Sequence, residues 1–92
     1  MSSELTLETF RYFIECHFNI DRDYSELEKV ILEFKEMEYP EYSVKLLKEA
    51  KSIIKLDDWQ YIHDFIYKYG LRNYDKDRLI KMIWAIIKVL SD

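Results

Sequence analysis

LIKMIWAIIKVL, residues 79–90, is the most apolar stretch of the chain, and its reading decides the fold. It could be a membrane span or a buried helix. At twelve residues it falls well short of the ~20 needed to cross a bilayer, and Lys81 and Lys88 interrupt it. At about 100° per residue, Leu79, Ile80, Met82, Ile83, Ile86, Ile87, Val89 and Leu90 cover more than half of a helix circumference. A helix apolar over that much of its surface belongs at the centre of a core. The segment is therefore expected to be the central helix of a soluble protein.

The same periodicity recurs upstream. Leu7, Phe10, Phe13, Ile14, His17 and Phe18 share one helical face, with Glu8, Arg11, Tyr12 and Glu15 on the other. Leu27, Val30, Ile31, Phe34 and Met37 form a second stripe. Ser25-Glu26-Leu27-Glu28 reads as the capping box that starts it, hydroxyl and carboxylate each taking an orphan backbone N–H. Pro40 suits the first turn of a third helix, where a missing N–H costs nothing. Val44, Leu46, Leu47, Ala50, Ile53 and Ile54 give that helix a broad apolar arc. Asp57-Asp58-Trp59-Gln60 reads as another capping box, with Trp59, Ile62, Phe65, Ile66 and Tyr69 turned inward behind it. Gly70 is expected in the left-handed position that ends this helix, and Asn73 or Asp75 should cap the last one. The spacing predicts helices near 6–18, 25–38, 40–55, 58–69 and 75–90 in one all-α domain spanning 1–92, with about 5–90 structured. Ile83, Ile86, Leu47, Phe34 and Phe10 are the expected core.

Composition agrees. The chain is 49% hydrophobic with 16% aromatic residues, ample for one small core, and its single Gly and single Pro leave little material for hairpins or phosphate-cradling loops. One cysteine cannot form an internal disulfide. MSSELTLETF has neither a basic n-region nor a long apolar run, so no secretory signal is expected and the compartment reads as cytoplasmic.

Several chemistries find no support in the residues. Cys16 and His17 are adjacent, so on a helix they point about 100° apart and cannot both face one ion. His63 lies on another helix and no second cysteine exists, whereas zinc wants three or four convergent N or S ligands. His17 is expected instead to pack with a ring nitrogen on a backbone carbonyl, and Cys16 to behave as a small hydrophobe. Asp21/Asp23 and Asp57/Asp58 are pairs typical of caps and loops. No nucleotide-binding or nucleophile-elbow pattern is present. The expectation is a chain that is not an enzyme and carries no cofactor and no metal.

Charge is uneven. Residues 21–41 hold eight acids against three bases, a local charge of −5, while the rest sums to +1, for −4 overall. A net negative chain is a poor ligand for nucleic-acid phosphates and a better one for a basic protein. Lys45, Lys48, Lys51 and Lys55 stripe the third helix, but Glu41 and Glu49 sit among them, as on a solvated helix face. Tyr12, Leu32 and Tyr61 each point away from the apolar face of their own helix, and aromatics beside an acidic segment suit an interface.

LETFRYFIECHFNID, a short acidic loop, the Ser25-Glu26-Leu27-Glu28 start with Phe34 closing that helix, LLKEAKSII, and a final helix bearing Trp84 together resemble the small immunity proteins of bacterial contact-dependent growth inhibition systems. The likeness covers about residues 5–90. It implies a cytoplasmic protein that binds the C-terminal toxin domain of its cognate effector, a basic nuclease in many cases, and covers its active site. The net negative charge and the short apolar run leave no nucleic-acid and no membrane partner expected. The residues expected to meet that toxin are Asp21, Asp23, Tyr24, Glu33, Glu36 and Glu38. Glu36 and Glu38 oppose the negative end of their helix dipole, which is mildly destabilising, so a binding role is the expected reason for keeping them. The alternative from another class is a small helical transcriptional or phage-encoded regulator.

Overall fold

The computed structural model describes residues 7–18 and 23–91, and every regular element among them is helical. α1, Glu8–Tyr12, runs directly into a π-turn, Phe13–His17. A 3₁₀ turn, Tyr24–Glu26, leads into α2, Leu27–Met37. α3 is Pro40–Leu56, α4 Trp59–Gly70 and α5 Lys76–Ser91. The all-α bundle expected from the spacing is the fold, and the bounds of α2 to α5 match to within two residues. The expected start of the first helix at Thr6 lies outside the described residues.

α5 packs against α2, α3 and α4. Leu79, Met82, Ile83 and Ile86 are buried on it, together with Phe34 of α2, Leu46, Ala50 and Ile53 of α3, and Ile62 and Ile66 of α4. Two polar ties fix the direction of α2 against α5. The Tyr24 hydroxyl donates to the Arg78 carbonyl at 3.0 Å, and the Lys35 ammonium donates to the Val89 carbonyl at 3.2 Å, both across 54 residues. An equal offset at each end means that α2 and α5 run parallel. Lys35 thereby satisfies one of the carbonyls that the last turn of α5 leaves open.

Among the expected core residues, Ile83, Ile86, Phe34 and Phe10 are fully buried, whereas Leu47 is half-buried at the edge of the cluster. Val44, placed on the same apolar arc, is exposed. The arc predicted for α3 is wider than the surface its neighbours cover.

The helix ends depart from expectation more than the middles do. The capping box belongs to Asp23, not Ser25, and it closes the 3₁₀ turn that leads into α2. The Asp23 carboxylate accepts from the Ser25 N–H, and Glu26 reaches back to the Asp23 N–H. At α4 the cap is Asp58, which accepts from the Tyr61 N–H. Asp57 takes the left-handed conformation that ends α3, with φ 56°, and its carboxylate accepts from the Trp59 indole. Asp tolerates that conformation better than most residues. Asp75 caps α5 through the Arg78 N–H.

Gly70 is buried inside the last turn of α4 and does not take a positive φ; Leu71 does, at 55°. The glycine is needed for space. A Cβ at this position would lie 2.6 Å from Ile14 Cγ2.

Glu49 was placed in the lysine stripe of α3, but only 8% of it is exposed. Its carboxylate accepts from the Phe10 N–H at 2.8 Å and the Thr9 N–H at 3.3 Å. Those donors sit in the first turn of α1, whose own N-cap position is Leu7 and has no side chain to offer. A residue about forty positions away caps the helix that cannot cap itself.

Candidate functional site

Glu38 and Tyr39 form the hinge between α2 and α3. Both are extended, with ψ of 161° and 148°. Pro40 restricts Tyr39 to that region, so the corner is short and stiff. The π-turn of the first helical segment packs against it. Its Phe18 N–H reaches back to the Phe13 carbonyl at 2.8 Å, an i→i+5 bond. Residues five apart stand about 140° apart on an α-helix, but a π-turn brings them onto one side. Tyr12 and His17 therefore meet, ring centroids 5.5 Å apart and edge to face.

Both converge on one carboxylate. The Tyr12 hydroxyl donates to Glu38 Oε2 at 2.7 Å, and His17 Nε2 lies 2.8 Å from the same oxygen. The Tyr12 hydroxyl, then the His17 ring, hold the Glu38 carboxyl below the usual carboxylate range. In return, the carboxylate's hydrogen bond to Tyr12 is the main reason its phenol is pushed up to about 12. The partner of His17 is thus a carboxylate, not the backbone carbonyl expected from its place on the apolar face. Tyr12 also does not simply point outward: it stays 37% exposed but packs edge-on to Phe34. Tyr12 is the last residue of α1, and the π-turn that follows it, which a wheel at 100° per residue does not describe, brings His17 round to it.

The rings continue across the corner. Tyr12 lies 6.1 Å from Tyr42, and Tyr42 lies 6.5 Å from Tyr39, with interplanar angles of 31° and 26°. Tyr39 is 73% exposed, and Met37 beside it is exposed as well. Lys45 Nζ lies 5.9 Å from the Tyr42 ring centroid. The result is a row of three tyrosines leading to a fixed carboxylate, on the acidic segment of the chain.

The residues expected to bind a partner are divided by this geometry. Asp21 lies outside the described residues. Asp23 caps the 3₁₀ turn before α2, and its hydrogen bonds from the Ser25 hydroxyl and N–H hold its carboxyl below the usual range. Tyr24 is half-buried, edge-on to Tyr74 at 5.1 Å, and desolvation raises its phenol. Glu33 is half-buried and Glu36 is exposed, one turn apart on α2. Glu38 stands at the far end of α2 from Asp23, with the 3₁₀ turn and the whole 11-residue helix between them. The structure joins Glu38 to Tyr12 and His17 and leaves Asp23 and Tyr24 at the opposite end. Glu38 also has a structural partner set, contrary to the expectation that only binding would retain it. Tyr39 and Tyr42 were missed. Their signal was an i, i+3 tyrosine pair spanning Pro40.

Two other surfaces offer polar groups. Val44, Leu47, Lys48, Lys51, Ser52 and Lys55 line an open groove of about 390 Å³ on α3. Trp59, His63, Asn73, Tyr74 and Arg78 border another of about 460 Å³. There His63 Nε2 meets Asn73 Oδ1 at 2.8 Å, and Asn73 and then Asp64 raise the imidazole above its ordinary value. Cys16 is free and exposed, not buried as its residue type suggested. Among the described residues, no three His, Cys, Asp or Glu side chains converge to hold a metal, and no helix is long and apolar enough to cross a membrane.

No family model matches this chain, and neither does a curated protein or a solved structure.

Proposed function

We infer that this chain is an immunity-type inhibitor, binding the basic toxin domain of a cognate bacterial effector in the cytoplasm and covering its active site. The toxin class that best fits a local charge of −5 over residues 21–41 is a nuclease, since a protein that binds a polyanion carries the opposite charge. The observation that carries this reading is the corner itself: exposed tyrosines beside a pre-positioned carboxylate. Tyrosine is enriched at interface hot spots, and acidic surroundings speed the approach of a cationic partner. The resemblance of residues 5–90 to contact-dependent growth inhibition immunity proteins supports the same partner class.

The test is co-expression with the C-terminal domain of the effector encoded in the neighbouring reading frame. Growth rescue and a complex stable in gel filtration are expected; toxicity with the chain present and no complex would overturn the reading. Within the complex, Glu33→Lys with Glu36→Lys should slow association and reduce its salt dependence. Lys48→Glu with Lys51→Glu should leave it nearly intact.

One observation favours a second reading, a helical regulator that contacts nucleic acid. With Glu49 turned inward, the α3 lysines have lost a compensating acid. A DNA affinity falling steeply with salt would support it.

A further inference from the structure

We propose that the groove on the outer face of α3 is the docking site for the outer row of α2 from a second copy of this chain. This contact lies outside the inhibitor reading and does not depend on it.

The groove is apolar at its floor and cationic at its rim. Val44, Leu47, Lys48, Lys51, Ser52 and Lys55 line it over about 390 Å³. Val44 is 66% exposed and Leu47 half-buried, and the lysine stems add apolar lining below their charged heads. Lys48, Lys51 and Lys55 stand three and four residues apart, a spacing at which like charges on a helix repel. Glu49, the acid among them, is turned away to the N–H groups of α1. Among the described residues, none of the three lysines has an ion pair. Such a face gains from an anionic partner that carries an apolar knob.

α2 presents that pattern. Glu28, Leu32 and Glu36 are exposed and four residues apart, so they stand in one row. Leu32 is 47% exposed, with an acid one turn to either side. The two acids stand eight residues apart, roughly 12 Å along the helix, and Lys48 and Lys55 stand seven apart, roughly 10.5 Å. Seating Leu32 between the lysine stems therefore carries an acid toward each end of the lysine row. Both rows face solvent on their own molecule, so the pairing needs a second copy. The stiff corner at Glu38, Tyr39 and Pro40 presents the two helices at a fixed angle, which reduces the ordering required on association. A single row in a single groove is smaller than the roughly 1,200 Å² at which stable interfaces begin. Exposed ion pairs are weak and screened by salt. The association is transient and depends on concentration.

Sedimentation equilibrium of the purified chain is the test. At high protein concentration and low salt the mean mass should rise from 11.4 kDa toward twice that value. It should fall back in about 1 M salt, which screens charges beyond roughly 3 Å. Amide shifts on dilution should map to residues 28–36 and 44–55. Glu28→Lys with Glu36→Lys should abolish the association, although each change adds two charges and the pair takes the chain from −4 to 0, removing overall repulsion. Lys48→Glu with Lys55→Glu should abolish it as well. An equimolar mixture of the two variants should associate again, because reversed acids then meet reversed lysines while the untouched rows meet each other. Leu32→Ser, at an exposed position, should weaken the association with every charge in place. A mass of one chain at all concentrations, association that survives the Glu28 and Glu36 changes, or a mixture that stays monomeric would overturn the proposal. A monomeric chain whose α3 amides shift with a short DNA duplex would assign the groove to nucleic acid instead. None of these measurements uses a toxin, so the inhibitor reading stands or falls separately.

Discussion

α5 and the Glu38 corner are built from opposite materials. α5 buries Leu79, Met82, Ile83 and Ile86 against three other helices, and apolar contact dominates its packing. The corner joins the π-turn to the α2–α3 hinge through tyrosine rings, a histidine and one carboxylate, and leaves Tyr39 and Met37 in solvent. Burying apolar area is worth about 25 cal/mol per Å² and does not depend on direction. Hydrogen bonds at the surface contribute far less to stability, but they fix where a group points. One region holds the chain together; the other holds a shape on its surface.

Changes in the two regions should therefore separate stability from recognition. The largest loss is expected for Ile83→Ala, about 2–5 kcal/mol, read from chemical denaturation. A midpoint unchanged within error would mean that α5 is not the centre of the core. Gly70→Ala should follow, destabilising by about 1–3 kcal/mol through overpacking, although Ala is ordinarily the better helix former by about 1 kcal/mol. The atom in the way is the branched methyl of Ile14, 2.6 Å from the added Cβ, which cannot swing aside as a long side chain would. In an Ile14→Ala background the penalty of Gly70→Ala should largely vanish, and its persistence would refute the steric account. Glu49→Ala should cost about 1–3 kcal/mol by leaving two N–H groups of α1 without acceptors. The loss should appear first as faster amide exchange at Thr9 and Phe10.

At the corner the expected effect on stability is the smallest, and it shows best in titration. Tyr12 should titrate near 12, later than tyrosine's ordinary 10. A raised folded value means that this contribution is complete below the ordinary tyrosine range and is lost as pH rises through about 12. Glu38, held low, contributes above the ordinary carboxylate range and loses its contribution as pH falls through its lowered value. In Glu38→Gln the Tyr12 transition, followed by ultraviolet absorbance, should return toward the ordinary range. A Tyr12 transition that stays put would place the cause of its shift elsewhere.

The same contrast explains what could be read in advance. Ile83, Ile86, Phe34 and Phe10 were legible because helical periodicity reports burial directly, and α5 follows it without interruption. The Glu38 corner was only partly legible. Its acid was noticed for its charge, but the meeting of His17 with Tyr12 on it depends on a π-turn that shifts the angular phase of the helix. A wheel with a fixed period has no place for that. Glu49 was misjudged for a related reason: its partner N–H groups lie about forty residues away, and no local pattern marks a helix that is capped from another helix. Gly70 was recognised as special, yet the reason was Ile14 in space, not its own backbone conformation.

The central claim is that the corner recognises and the α5 side stabilises. It is tested most directly by the double change Glu38→Gln with Tyr39→Ala, measured for both thermal midpoint and affinity for the toxin domain proposed as its partner. The account predicts a midpoint within a few degrees of the parent and a loss of affinity of tenfold or more, in the range typical of interface hot spots (about 2 kcal/mol or more). An unchanged affinity with an intact fold would contradict it.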